Sequence, residues 1–317
     1  PLTSRNHFFH SEVQTIHSSR TVSTIRGAFS RVNNAESSEI VGGIPADLSF
    51  VQGLPMGTLT VTGLSDFGGF QARARPRTFI INSAQFNGDV IHSWGSHTFK
   101  AGAGLDRVQF NQQSDLSFVG SYTFGSLESL LLGAPRIAEV AQPGSDTARR
   151  WRYWQMHGYV QDDWRINSRL SLSLGLRYEN ATVPTEVDNK IAVLRDLVND
   201  SQTTLGGPLW ETTHTNFAPR AALAFDPTGT GKTVIRVGGG LFYDLLGSSE
   251  LTIAGVRTPP FFNRILVFGR PGFPDILNAA QGRTPSASID GLDFDLPQPY
   301  VGRWQLQLEH QIGEDAV

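Results

Sequence analysis

The sequence predicts an all-β fold: an antiparallel transmembrane β-barrel segment of about eight long strands, with short turns on one side and long loops on the other. Three observations carry this reading. Long segments alternate strictly between apolar and small polar residues. The connections between them alternate short and long. Composition is poor in charged residues, 17% against about 25% in a typical domain, while 39% of the residues are apolar, with 33 Gly and 20 Phe.

The segments run in order along the chain. In 21–34, Ile25 and Phe29 share a face opposite Arg26, Ala28 and Ser30. In 79–94, Phe86, Val90 and Trp94 fall together. In 97–110, Phe99, Ala101, Ala103 and Leu105 oppose Lys100, Gly102, Gly104 and Asp106. Segment 151–166 follows, then 170–181, where Leu170, Leu172, Leu174, Leu176 and Tyr178 alternate with Ser171, Ser173, Gly175 and Arg177. In 216–226, Ala221, Leu223 and Phe225 oppose Arg220, Ala222 and Ala224. In 233–244, Ile235, Val237, Leu241 and Tyr243 oppose Arg236, Gly238 and Gly240. In 300–312, Trp304, Leu306, Leu308 and Ile312 oppose Gln305, Gln307, Glu309 and Gln311. A period of two with one apolar and one polar face is a strand signature. Each segment is long enough to cross a bilayer, which takes roughly 9–11 tilted residues.

Short connections at 95–96, 167–169 and 227–232 separate long ones at 35–78, 111–150, 182–215 and 245–299. Soluble domains rarely carry such long loops. Within them, "SLESLLLG" (126–133) reads as a short helix closed by Gly133, and 187–200 as a helix or a strand. Net charge is −3, so no pull toward nucleic acid is expected. Lys occurs only at 100, 190 and 232, which makes 23 of the 26 basic residues Arg. Without cysteine there is no disulfide, thiol catalysis or Cys-based metal site. The chain starts at Pro1 without a signal peptide and stops soon after a strand-like segment. These ends predict a fragment spanning 1–317, without a plug domain and lacking the C-terminal strands.

The stretches "HSWGSHTFKAGAGLDR", "YVQDDWRINSRLSLSLGLRYEN", "NFAPRAALAFDPTGTGKTVIRVGGGLFYD" and "PYVGRWQLQLEHQIGED" resemble, in that order, the barrel of Oar-like TonB-dependent outer-membrane receptors. The resemblance covers roughly 20–312. It implies a barrel of roughly 22 strands around a plug, placed in the bacterial outer membrane and energised through TonB. The implied partners are outer-membrane lipid, the plug of the same full-length protein, the TonB complex and an unknown solute. The implied role is solute uptake or surface transport. A non-transport surface or adhesion barrel, and more weakly a soluble β-sandwich carbohydrate-binding domain, are the other readings.

Candidate site residues follow from the faces. Arg26, Lys100, Arg177, Arg220, Arg236, Gln305, Gln307 and Glu309 are expected to face a lumen, as a wall for a plug or anionic solute or simply as paired charges with Asp106 and Glu309 among the partners. Trp94, Trp164, Tyr178, Tyr243 and Trp304 are expected to form aromatic girdles, against the plainer reading of core aromatics. No catalytic residues, cofactor or metal are expected, and no enzyme activity. "GKT" at 231–233 lacks the spacing of a phosphate loop and reads as a polar turn. "GGG" at 238–240 reads as a bend or a close approach. His92 and His97 flank a turn and His7, His10 and His17 lie near the start, without an obvious metal set. Finally, Asp162 and Asp163 stand side by side in a membrane strand. A three-residue turn at 167–169 would leave Asp162 on the lipid side opposite Leu174, so a β-bulge within 161–163 is expected to re-aim the carboxylates.

Overall fold

The computed structural model describes residues 2–37, 45–68, 74–245, 247–282 and 290–312. Nine long strands form one antiparallel meander in chain order: β1 (Leu2–Ser18), β2 (Thr21–Glu36), β3 (Ala74–Trp94), β4 (His97–Leu116), β5 (Arg149–Arg165), β6 (Leu170–Ala181), β7 (Phe217–Phe225), β8 (Thr233–Tyr243) and β9 (Tyr300–His310). The strand at 2–18 adds to the eight expected. Its alternation is broken by the adjacent Phe8 and Phe9, and by polar His7, Ser11 and Thr15 on the face of Phe9 and Val13. Register with β2 resolves it: Phe9 lies opposite Phe29 and Val13 opposite Ile25. His7 and His10, three apart in a strand, therefore lie on opposite faces and do not cluster.

Tight turns at 19–20, 95–96, 166–169 and 226–232 close one end of the meander, and the long loops leave from the other. β3 and β4 are 21 and 20 residues long and stand well past the ends of β6 to β9. At the long-loop end, Thr185–Glu186 adds two rungs to β5 where β6 has stopped.

The loops fold. Short strands 264–268, 137–141, 121–124, 58–61 and 67–68 lie side by side in that order and build a second, five-stranded sheet from three different loops, with a parallel pairing of Thr58–Val61 and Ser121–Phe124. Its core contains Phe50, Val61, Tyr122, Phe124, Val140, Val267 and Ile276. Burial pushes the Tyr122 hydroxyl pKa up, and that hydroxyl donates to the Gly272 carbonyl at 2.6 Å. The helix at Leu127–Leu131 forms as expected, capped by Ser126, with Gly133 at φ 59°. Within 187–200, expected to hold a helix or a strand, the chain makes a two-residue strand, Ala192–Val193, paired with Thr204–Leu205.

A second core joins loops to wall. Val108, Phe110, Trp151 and Tyr153 of β4 and β5 pack with Ile191, Leu209, Trp210 and Leu251 from two loops. The Arg149 guanidinium is fully buried in the same region. It donates to the carbonyls of Asp146 and Ala148 (both 2.8 Å), Gly255 (3.2 Å) and Val256 (3.5 Å).

Candidate functional site

The register places Arg26, Lys100, Arg177, Arg220, Arg236, Gln305, Gln307 and Glu309 on one face of the large sheet. One continuous rung shows it: Lys100, Gln161, Gly175, Arg220, Gly240 and Arg303 are successive partners across β4 to β9. Most cations here are neutralised. Arg26 binds Glu12 (2.6 Å) and Asp89. Lys100 meets Asp163, and Arg177 meets Glu179, each at 2.7 Å. Arg236 meets Glu309 at 2.5 Å, and Gln307 donates to the same carboxylate at 2.8 Å. Gln305 stands opposite Gly238. Asp106 accepts from Ser83 and Gln85 at 2.7 and 3.2 Å, rather than from a cation. Arg220 and Arg303 lie over the Phe242 ring, 4.4 and 5.5 Å from its centre.

Glycine makes room on this face. A Cβ at Gly240 would stand 2.8 Å from Arg220 Cγ and 3.0 Å from the Pro219 carbonyl oxygen. The "GGG" run is thus a close approach in a regular ladder, since β8 pairs with β7 and with β9 without a register shift.

The bulge expected at 161–163 is absent. β5 and β6 pair in unbroken register from Arg165–Ser171 to Gln155–Ala181, with the three-residue turn 167–169. The two carboxylates go to opposite faces and each finds a partner on a neighbouring strand. Asp163, on the polar face, binds Lys100 and accepts from Ser173 (2.5 Å) and Gln161 (2.8 Å). Asp162 shares the leucine face opposite Leu174 and Phe99, and its Oδ2 lies 2.7 Å from His97 Nδ1. The physical reason for the correction is cross-strand pairing, Asp163 with Lys100 and Asp162 with the His97 ring, which removes the need to re-aim either side chain.

On the apolar face Trp94 and Trp164 stand at the tight-turn end. His97 stacks between Trp164 (5.2 Å) and Phe99 (5.6 Å). Tyr178 touches Phe217 at 5.0 Å and Tyr243 touches Tyr300 at 5.9 Å at the other end of the short strands. Trp304 departs from the girdle assignment. It sits mid-strand opposite Gly239 and is largely exposed, away from the strand end where Tyr300 meets Tyr243.

At the 226–232 turn, the Asp226 carboxylate accepts from the amides of Thr228 (3.1 Å), Gly229 and Gly231 (both 2.8 Å). Partial desolvation pushes its pKa up, and those donors bring it below the ordinary carboxylate value. The amides a phosphate would use are already taken. His92 bonds Thr21 at 2.9 Å, and among the described residues no group of three metal-ligating side chains occurs.

Both faces invert toward the long loops. The face of Lys100, Gly102 and Gly104 turns apolar at Val108 and Phe110. The face of Phe99, Ala101 and Leu105 turns polar at Arg107, Gln109 and Asn111. Sequence reading missed this switch, although it is written in the residues of 105–111.

Residues 2–317 match the family model described as "Outer membrane beta barrel domain". No curated protein matches. Among solved structures, the chain is similar to the siderophore receptor PirA from Acinetobacter baumannii, with a TM-score of 0.51 and 10% identity. The similarity covers 98% of this chain and 33% of that one, so the chain spans about a third of that receptor's length. At that identity the likeness concerns the fold.

Proposed function

Because the chain belongs to the outer membrane beta barrel domain family and resides in the bacterial outer membrane, we propose that it is part of the wall of a plugged, TonB-dependent receptor of the Oar-like type. Its apolar face meets lipid, its tight turns lie in the periplasm, and its long loops form an extracellular cap.

The observation that carries the reading is the height of the apolar band. On β4 the outward face is apolar between His97 and Arg107, ten residue steps apart. At about 3.4 Å per residue and a strand tilt of about 40°, those steps rise about 26 Å. The apolar band of outer-membrane barrels is about 25 Å tall. The inner wall is polar over that same height, with most of its charges paired and its glycines flat, a surface against which a plug can pack. The reaction class is non-enzymatic: passage of a solute through a barrel gated by its plug.

These 317 residues contain no cysteine, so a single cysteine placed among them, in a full-length protein whose other cysteines are replaced, reports its own position. Single cysteines at Ser173 and Gln305, on the inner wall, and at Leu174, on the lipid face, are challenged with a water-soluble maleimide in intact cells. Inner-wall labelling is expected to rise with an energised membrane and to fall with a protonophore or without TonB, while Leu174→Cys stays unlabelled. Inner-wall labelling that ignores both treatments sinks the TonB-dependent reading. It would favour the second one, a surface barrel acting through its cap, for which the exposed Leu131, Leu132 and Val198 at the loop tips speak.

A further inference from the structure

Where the outward face turns polar, it turns basic. One outward rung runs His7, Arg31, Asn82, Gln109, Arg152 across β1 to β5. Arg107 stands one outward position below it on β4, and Arg5 and Arg150 one outward position above it on β1 and β5. Arg107 and Gln109 are ten and twelve residues past His97, which at about 3.4 Å per residue and a tilt of about 40° puts them about 26 and 31 Å up the wall. The apolar band is about 25 Å tall, so these side chains stand in the headgroup layer. Below them Phe29, Leu105 and Met156 are exposed on the same face.

This belt lacks counter-ions of its own. Arg150 is bound to Asp188, but Arg31, Arg107 and Arg152 make no ion pair among the described residues. The nearby Glu186 carboxylate is occupied by the amides of Arg150, Asp188 and Lys190, each at 2.8 Å. Arg31 and Arg152 are steadied by neutral amides instead, donating to Asn82 Oδ1 at 2.9 Å and Asn111 Oδ1 at 2.8 Å, and Arg107 lies over the Trp154 ring. All three are partly exposed, and a guanidinium has five N–H donors, so each keeps donors to spare. Arg107 and Arg150 also stand close enough to Arg152 to repel it. The inner wall does the opposite: Arg26, Lys100, Arg177 and Arg236 each have a carboxylate. The anion that answers the outer belt therefore comes from outside the chain.

We propose that the belt binds a phosphorylated glycolipid of the outer leaflet, with Arg31 and Arg152 each taking one phosphate of a disaccharide bisphosphate headgroup. Arginine forks grip phosphate oxygens in pairs. Three inter-strand steps of about 4.8 Å separate the two arginines by about 14 Å, which suits two phosphates at opposite ends of a headgroup. The acyl chains then lie down the apolar band, with Arg107 at the boundary between sugar and chain. The inference rests on the proposed orientation, with the tight turns in the periplasm.

The test uses the full-length protein extracted from outer membranes in mild detergent and stripped of lipid. It is exposed to an equimolar mixture of bisphosphorylated lipid A and the same lipid A dephosphorylated by phosphatase, and retained lipid is counted by native mass spectrometry. The wild type is expected to prefer the phosphorylated form at least about tenfold. Each arginine at an anionic surface contributes about a fivefold gain in binding, so Arg31→Gln combined with Arg152→Gln should weaken retention about 25-fold and bring the two lipids to parity. Arg31→Lys with Arg152→Lys keeps the charge without the fork and should fall between. Arg220→Gln with Arg303→Gln removes the same charge from the inner wall and should leave the preference unchanged. Heat-shifted gel migration verifies that each variant is folded. Equal retention of both lipids by the wild type, an unchanged preference in the Arg31/Arg152 glutamine variant, or an equal loss in the inner-wall variant overturns the site. Orientation is read separately by labelling Leu131→Cys in the cap with an impermeant maleimide on intact cells. With Leu131→Cys labelled, a failed lipid preference brings down the phosphate site alone. Labelling only after permeabilisation would turn the belt to the periplasm, and the proposed orientation would fall with the site.

Discussion

Replacing Arg149 with Met should release the cap from the wall without opening the barrel. The guanidinium has no exposed surface and is held by four main-chain carbonyls, three of them within 3.2 Å. A hydrogen bond to a charged group contributes about 1.5–3 kcal/mol, so the three short ones suggest roughly 5–9 kcal/mol gross. Against that stands the penalty of burying the charge, several kcal/mol, which Met does not incur. The carbonyls of Gly255 and Val256 are then left in an apolar pocket beside Trp151. A net local loss of about 2–4 kcal/mol follows, equivalent to about 30- to 700-fold more frequent opening at about 1.4 kcal/mol per decade. Hydrogen exchange of the amides at 254–262 measures it, with β6 amides as the internal control. Exchange at 254–262 raised less than about threefold would refute the reasoning, because the bonds would then be dispensable to loop docking. Equal acceleration in β6 would refute the claim that the effect is local.

Face assignment is tested by a pair of arginines. Leu174→Arg should cost about 2–4 kcal/mol in barrel unfolding, while Ser173→Arg should cost little, measured by urea-dependent loss of heat-shifted migration. Gly240→Ala should destabilise by about 1–3 kcal/mol because backbone on β7 must move, whereas Gly27→Ala, with open space around it, should be neutral or stabilising by up to about 1 kcal/mol; the same assay reads both. The cap should loosen in acid. Burial, the largest influence on Asp146, raises its pKa, but Lys190 at 2.7 Å and the Ala148 amide bring it below the ordinary value. Its contribution is therefore complete above about pH 4, the unfolded value, and lost as pH falls through the depressed folded one. Limited proteolysis of loop 182–216 should accelerate across that window, and Lys190→Met should weaken the pH dependence, leaving the part that Asp188 and Asp196 contribute.

What was legible in the sequence is what alternation alone can encode. Leu170 to Leu176 against Ser171 to Arg177 define both faces of β6 without any knowledge of neighbours. β1 was illegible for the same reason, since Phe8 beside Phe9 erases the period and only pairing with β2 restores it. The cap was invisible because its strands are two to five residues long and partners such as Thr58–Val61 and Ser121–Phe124 lie far apart in the chain. No local period announces a pairing of that kind. The charge partners were out of reach too: Lys100 with Asp163 and His97 with Asp162 are set by the register of β4 on β5, which a single strand does not contain.

The inversion of both faces near 105–111 joins these observations into one argument. Below it the outward residues are apolar and the inward ones polar, the order that lipid outside and water inside require. Above it the order reverses: Arg107 lies over the Trp154 ring at 4.9 Å on the outside, and Phe110 and Trp151 are buried on the inside. A strand that merely continued into water would become polar on both faces. An apolar inner face above the membrane needs a cover, and Leu209, Trp210 and Leu251 provide it. The great length of β3, β4 and β5 has the same cause. They extend past the bilayer to carry the docking surface for the cap, while β6 to β9, which carry no such surface, end after 9 to 12 residues. Strand length and face polarity together thus mark both where the membrane ends and where the loops fold back.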